Sequence, residues 1–274
     1  MDQEIAFYNR SVLADPEDTG TSPLVRIAEN DTDLYYRIAV EMYRDIAANN
    51  RAGKPSVYIC PVGPAFQYRR FVWLCRQMPI DLSTTHFFFM DEYLSGDRLI
   101  DPDHPLSFRG FVQRELMDPL AGDFGFDTSQ VVFPDPTDPV AYDRRLEALG
   151  GAGICFAGVG INGHLAFNEP PVAWDAPTRL VELSRETITI NSNTALGGAW
   201  EQIPRRAITV GMRPILASSR LLLYLNRPWQ RAVVRKLLYG PVTEQFPASC
   251  VQTHQDAMVT MTADVAAPPE FALR

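Results

Sequence analysis

The chain has 274 residues, of which 46% are hydrophobic and 21% are charged, and 33 acidic against 25 basic side chains give a formal net charge of −8. These proportions are typical of a globular protein and exclude a disordered or low-complexity chain. The acidic balance argues against a nucleic acid as partner, and no apolar run approaches the ~20 residues that a membrane span requires.

The cysteines and the first residues indicate the compartment. The four cysteines are widely separated and form no CxxC pair, which is typical of reduced thiols and not of disulfides or a zinc site. The acidic N-terminus leads into no apolar segment of the kind found in secretory signals. We therefore expect a soluble, cytoplasmic protein. P-loop, dinucleotide, zincin and serine-hydrolase motifs are missing and the four histidines are isolated, so neither a cofactor nor a metal is expected.

The elements alternate along the chain. Residues 1–30 lack periodicity and predict an irregular N-terminal arm, followed by one α/β domain over residues 31–274. Apolar residues four positions apart predict a first helix from about 31 to 50. Further helices are predicted at about 66–78, 106–117, 139–149 and 228–239. Strands are predicted at about 56–60, 84–90, 131–133, 154–159, 178–183, 207–210, 220–225 and 257–262. This order predicts a three-layer, Rossmann-like fold whose mostly parallel sheet carries helices on both faces.

Ligands of such sheets bind beyond the carboxyl ends of the strands, which points to the loops after Cys60, Met90 and Val159. A carboxylate that follows an apolar strand is partly desolvated, and its pKa rises toward the range of a general base. Asp91 is such a carboxylate. The alternative is that Asp91 and Glu92 only cap a turn.

The segment 158–170, GVGINGHLAFNEP, combines three glycines with a histidine and a glutamate. Glycines let the backbone approach a ligand closely, and Glu169 is suitably spaced to orient His164 as an acid/base relay. Such a pair moves protons between sugar oxygens while a carboxylate removes a proton next to a carbonyl. Together these groups favour aldose–ketose isomerisation, although a structural histidine is the alternative for His164.

Several motifs resemble the glucosamine-6-phosphate deaminase family, whose superfamily also includes 6-phosphogluconolactonases. They are FMDEYL at 89–94, DHPLSFR at 103–109, the segment 158–170, GPVT at 240–243 and PASCVQTH at 247–254. The resemblance implies that Asp91 takes the C2 proton and returns it at C1, that His164 opens the sugar ring, and that Glu169 holds His164. Ammonia then leaves from C2. Asn162 stands where the family often has Asp, which implies an altered relay.

The phosphate end departs from the family, whose members usually carry a Pro-[Ser/Thr]-Gly-Gly-[Thr/Ser] loop. This chain has PVGPAF at 61–66, which lacks both hydroxyls, and a proline removes one N–H donor. The substrate-binding candidates are Val62, Gly63, Pro64, Ala65, Glu92, Gly160, Gly163, Arg179, Asn193 and Arg231. Two alternatives follow: Arg231, Arg69 or Arg70 supplies the missing donors, or Val62, Ala65 and Phe66 face an uncharged group.

The resulting hypothesis is an enzyme that isomerises and deaminates an amino sugar, with or without a phosphate. The expected partner is a small sugar, and a homo-oligomer is compatible with the sequence. Two alternatives remain: a non-catalytic sugar-binding or regulatory homologue, and a lactone hydrolase on the same fold, which residues 168–170 disfavour.

Overall fold

The computed structural model describes residues 2–12 and 23–269, in which helices and strands alternate. The strands are β1 (Leu24–Ala28), β2 (Ser56–Cys60), β3 (Thr85–Phe89), β4 (Asp91–Ser95), β5 (Arg98–Leu99), β6 (Val131–Val132), β7 (Ile154–Ala157), β8 (Arg179–Glu182), β9 (Arg206–Thr209), β10 (Arg220–Leu225) and β11 (Ala257–Thr262). The helices are α1 (Asp2–Tyr8), α2 (Asp31–Ala52), α3 (Gln67–Gln77), α4 (Phe108–Val112), α5 (Asp118–Leu120), α6 (Val140–Ala148), α7 (Arg185–Leu196), α8 (Met212–Leu216), α9 (Gln230–Tyr239) and α10 (Ala263–Ala266).

Seven strands form a central parallel sheet in the order β1-β11-β10-β7-β2-β3-β6. Its inner strands are buried on both faces, since successive side chains point to opposite sides and helices cover both. In β2, Val57 and Ile59 enter the core beneath α6 and α9, whereas Tyr58 enters the core beneath α2 and α3. The predicted α/β fold with helices on both faces is therefore confirmed.

A second sheet of four antiparallel strands, in the order β5-β4-β9-β8, corrects part of the sequence prediction. The segment that begins at Asp91 was predicted as a loop but is strand β4, and β8 and β9 belong to this sheet and not to the parallel one. Met90 alone separates β3 from β4, and its carbonyl accepts a hydrogen bond from the backbone N–H of Val210. Such pairing between distant segments leaves no periodic signal in the sequence.

The N-terminal segment is more ordered than expected. Residues 2–8 form α1, and residues 24–28 form β1, which pairs with β11 at the edge of the central sheet. The prediction of an irregular arm is therefore wrong for these residues, while residues 13–22 lie outside the described part. Most of β1 is not buried, so backbone pairing supports this strand more than side-chain burial does.

Two helical segments also differ from expectation. The single helix predicted at 106–117 begins at Phe108 and continues through a π-helical turn, Gln113–Met117, into α5. Helix α7 was not predicted. Among the described residues, no helix is long and apolar enough to cross a membrane.

Candidate active site

A cavity of about 390 Å³ lies at the carboxyl edge of the central sheet. The loops after β2, β3, β7 and β10, which are adjacent strands, form one side of it, and side chains of α7 contribute to the other. The three loops that the sequence singled out therefore meet at one place, because parallel strands end at the same edge.

Asp91 faces this cavity with little solvent contact, since its exposure is 8%. It follows β3, whose last residues are fully buried. No hydrogen bond joins its carboxylate to any residue that the structure describes. Burial raises the pKa of Asp91 well above its usual value, and the negative charge of Glu92 raises it further. A carboxylate in this state takes up a proton more readily than an exposed one, which suits a general base.

Glu92, the next residue, has the opposite environment. Its carboxylate is fully buried and accepts hydrogen bonds from the backbone N–H groups of Tyr93, Phe108 and Arg109 at 2.8 to 3.1 Å. The hydroxyl of Ser107, the N-cap of α4, donates a fourth hydrogen bond at 2.9 Å. Glu92 does not line the cavity, and its carboxylate stabilises the start of α4; its predicted substrate contact stays a prediction.

His164 also lines the cavity, and the side-chain amide of Asn162 contacts its imidazole ring. The Oδ1 of Asn162 lies 2.8 Å from His164 Nδ1, and the Nδ2 of Asn162 donates to Glu169 Oε2 at 2.6 Å. Glu169 itself is 3.7 Å from His164 Nδ1. Because an amide oxygen only accepts hydrogen bonds, the proton of the imidazole lies on Nδ1 and Nε2 is left to accept a proton. The three residues of the predicted relay are therefore brought together, with the amide between histidine and carboxylate.

Glu169 is charged in this arrangement. Burial alone would raise its pKa, but the neighbouring side chains of His164, Thr187 and Asn162 lower the pKa of Glu169 to about 2. The backbone N–H of Ser184 donates to its second oxygen at 3.2 Å. A fixed negative charge therefore stands behind the histidine.

The two candidate glycines of the His164 loop serve different purposes. A Cβ at Gly160 would lie 2.1 Å from His164 Nε2, so only glycine lets the imidazole lie against this backbone. Gly163 has a φ of +86°, and a Cβ there would meet the ring of Phe246 at 2.5 Å. Gly160 lines the cavity, whereas Gly163 packs against Phe246 and does not line it.

The remaining candidates divide into two groups. The cavity is lined by Val62, Gly63, Pro64 and Ala65. Three other candidates do not line it: Arg179, Asn193 and Arg231. The Nη1 of Arg179 donates to Asn168 Oδ1 at 2.8 Å, and Asn193 lies on the exposed side of α7. Substrate contacts of these three residues stay predictions.

The arginines proposed to replace the family's phosphate ligands are held elsewhere. Arg231 donates to the carbonyl of Asp264 at 2.9 Å and forms an ion pair with its carboxylate. Arg69 forms an ion pair with Glu115. The Nη1 of Arg70 donates to the carbonyl of Phe66 at 3.0 Å, and Arg70 does not line the cavity.

Sequence reasoning missed the loop after β10, where Arg227 and Trp229 line the cavity. It named Asn193 of α7 but missed Thr187 and Asn191 of the same helix, which line the cavity. The signal for Arg227 was available, because β10 was predicted as a strand and ligands bind beyond the carboxyl ends of such strands. No such signal existed for α7.

The chain is similar to known proteins in sequence and in fold. No family model matches it. The glucosamine-6-phosphate deaminase of Hahella chejuensis is 30% identical over 219 residues, which cover 76% of this chain and 78% of that protein. A solved structure described as a monomeric glucosamine-6-phosphate deaminase is 25% identical, covers 89% of this chain and 99% of its own, and superposes with a TM-score of 0.78.

A 6-phosphogluconolactonase from Trypanosoma cruzi shares the fold, with a TM-score of 0.67 at 15% identity over 90% of this chain and 96% of that one. Lactonases thus have this architecture with little sequence in common, whereas the deaminases match in both. The chain belongs to the glucosamine-6-phosphate deaminase family, within a fold that it shares with the 6-phosphogluconolactonases.

Proposed function

We propose that the chain converts a 2-amino-2-deoxy aldose and water into the corresponding ketose and ammonia. The observation that carries this proposal is the carboxylate of Asp91, which faces the cavity, has a raised pKa and forms no hydrogen bond with a described residue. A proton-transfer base needs this combination, whereas a structural carboxylate such as Glu92 has partners.

Ring opening is assigned to His164. Its Nε2 takes the proton of the anomeric hydroxyl and delivers it to the ring oxygen, which frees the aldehyde at C1. Asn162 and Glu169 keep the other ring proton on Nδ1, so Nε2 stays available as an acceptor.

Isomerisation and deamination follow. Asp91 removes the proton at C2 while O1 takes a proton from the ammonium group, which gives an enolamine. Asp91 then returns its proton to C1, so that C1 becomes a hydroxymethyl group and C2 becomes an iminium. Water adds to C2 and ammonium leaves, and the product is the ketose.

The test is release of ammonia and ketose from glucosamine 6-phosphate, glucosamine and other amino sugars. Turnover by Asp91→Asn should fall at least ~100-fold, the usual range for loss of a general base. Asp97→Asn, an exposed carboxylate on the neighbouring strand turn, is the matched control and should keep its activity. Full activity of Asp91→Asn would disprove the assignment.

Two other outcomes would replace the proposal. Calorimetric binding of an amino sugar without ammonia release over hours would indicate a non-catalytic sugar-binding homologue. Hydrolysis of 6-phosphogluconolactone without release of ammonia from any amino sugar would indicate a lactonase.

We also propose a cytoplasmic location. It is supported by the four cysteines, which are buried free thiols and suit a reducing compartment. Assembly into a homo-oligomer stays a prediction, and sedimentation of the purified chain tests it.

A further inference from the structure

Arg227 is a cation of the cavity that has no counter-ion among the described residues. Arg227 is the only lysine or arginine among the described residues that line it. Its guanidinium forms no hydrogen bond or ion pair with another described residue, in contrast to Arg231 and Arg69. Arg227 is partly buried, and a partly desolvated cation is better compensated once an anion binds there.

Arg227 and Asp91 belong to opposite ends of the cavity. Arg227 follows β10 and Asp91 follows β3, with β7 and β2 between them in the sheet. Three strand spacings of ~4.8 Å place the backbones at these two positions ~14 Å apart. His164 lies on the loop after β7, between the two ends. A sugar whose C1 and C2 lie at Asp91 therefore extends its far end toward Arg227.

The surroundings of Arg227 offer few additional donors. The Nδ2 of Asn226 donates to the hydroxyl of Tyr35 at 2.9 Å, and the Nε2 of Gln230 donates to the carbonyl of Val159 at 2.7 Å. The loop after β2 contributes apolar side chains and a proline without an N–H group. One guanidinium balances one negative charge and matches a planar carboxylate with two parallel hydrogen bonds. One guanidinium alone does not balance both charges of a phosphate dianion.

We propose that Arg227 determines specificity by binding a singly charged carboxylate at the far end of the substrate, so that the substrate class is a 2-amino sugar acid and not a sugar phosphate. The sugar part of this inference rests on the proposed function. The anion-binding role of Arg227 rests on its position and its missing counter-ion.

The test compares 2-amino-2-deoxyglucuronic acid, glucosamine and glucosamine 6-phosphate as substrates. The wild-type chain should show the highest kcat/KM with the acid. In Arg227→Gln, the ratio of kcat/KM for the acid to that for glucosamine should fall about 10- to 100-fold, as for a lost charged hydrogen bond, mainly through KM.

Arg70→Gln is the matched control. The Cζ of Arg70 lies 5.2 Å from the ring centre of Tyr35, which Asn226 contacts. Arg70 itself does not line the cavity. Its loss removes the same charge nearby and should leave the ratio unchanged. Preference of the wild type for the phosphate ester, or an equal fall of the ratio in both variants, would overturn the inference.

Binding separates this inference from the proposed function. The same 2-amino sugar acid reduced at C1 has no aldehyde and cannot isomerise. Its affinity is measured by calorimetry with the wild type and with Arg227→Gln. Weaker binding to Arg227→Gln without turnover of any sugar would support the role of Arg227 and refute the proposed function. Turnover with equal binding to both proteins would support the function and refute the role of Arg227.

Discussion

Adjacent residues Asp91 and Glu92 carry the same chemical group in opposite states. Glu92 accepts four hydrogen bonds, three of them from backbone N–H groups, and stabilises a helix. Asp91 accepts none from the described residues, and burial raises its pKa. Donors therefore distinguish the structural carboxylate from the reactive one, and the sequence alone does not show where donors are.

The raised pKa of Asp91 predicts that its charge destabilises the fold. An unfolded aspartate has a pKa of ~3.9, so the native state binds a proton that the unfolded state has released over the interval above that value. The free energy of unfolding consequently falls as pH rises through this interval. Asp91→Asn should therefore be more stable than the wild type in urea unfolding at pH 7, and this difference should vanish below pH ~4. An unchanged midpoint at pH 7 would contradict the raised pKa.

At the scale of elements, α4 shows a helix start that depends on a distant strand. Ser107 caps it locally, since its hydroxyl accepts from the N–H of Gly110 at 3.0 Å. Glu92 of β4 supplies the remaining acceptors, and a negative charge at a helix N-terminus is favourable. The carboxylate of Glu92 thus joins the second sheet to α4, whose Phe108 and Phe111 line the cavity.

Glu92→Gln should lower the free energy of unfolding by about 1–3 kcal/mol, because a neutral amide replaces a charged acceptor and presents donors to buried N–H groups. Urea unfolding monitored by circular dichroism measures the change. Asp97→Asn, whose carboxylate is 88% exposed, should change stability by less than about 0.5 kcal/mol. Equal effects of the two substitutions would show that the helix start does not depend on Glu92.

At the scale of the whole molecule, Arg235 joins the two ends of the described chain. Its side chain is fully buried in α9 and donates to the carbonyl of Arg10, which follows α1. It also donates to the carbonyls of Val265 and Ala266 at the C-terminal side. Among the described residues only carbonyl groups accept hydrogen bonds from this guanidinium, and these hydrogen bonds compensate for its burial.

Arg235→Met should lower the free energy of unfolding by about 2–4 kcal/mol, because several carbonyl groups lose their donor at once. Arg44→Met, at an exposed position of α2, is the control and should stay within about 0.5 kcal/mol of the wild type. Thermal unfolding of both variants measures the difference. Similar melting temperatures for Arg235→Met and the wild type would refute a role of this residue in joining the termini.

The sequence by itself predicted most of the central sheet, because strands such as 56–60 and 220–225 are mostly apolar and alternate with helices. It also pointed to Asp91 and His164, since the carboxyl ends of parallel strands converge whatever the details of packing. Helix α7 escaped prediction because its β-branched and asparagine residues have low helix propensity. Packing of Ile188 against the cluster that contains Tyr93 and Phe167 supplies the stability that local sequence lacks.

Only the tertiary structure decided which candidate side chains reach the cavity. Arg179 and Arg231 were drawn from the right segments, but their guanidinium groups contact Asn168 and Asp264. Arg227 has no such partner among the described residues and lines the cavity. The direction of a long side chain depends on the partners that folding brings beside it, and those partners come from distant parts of the chain.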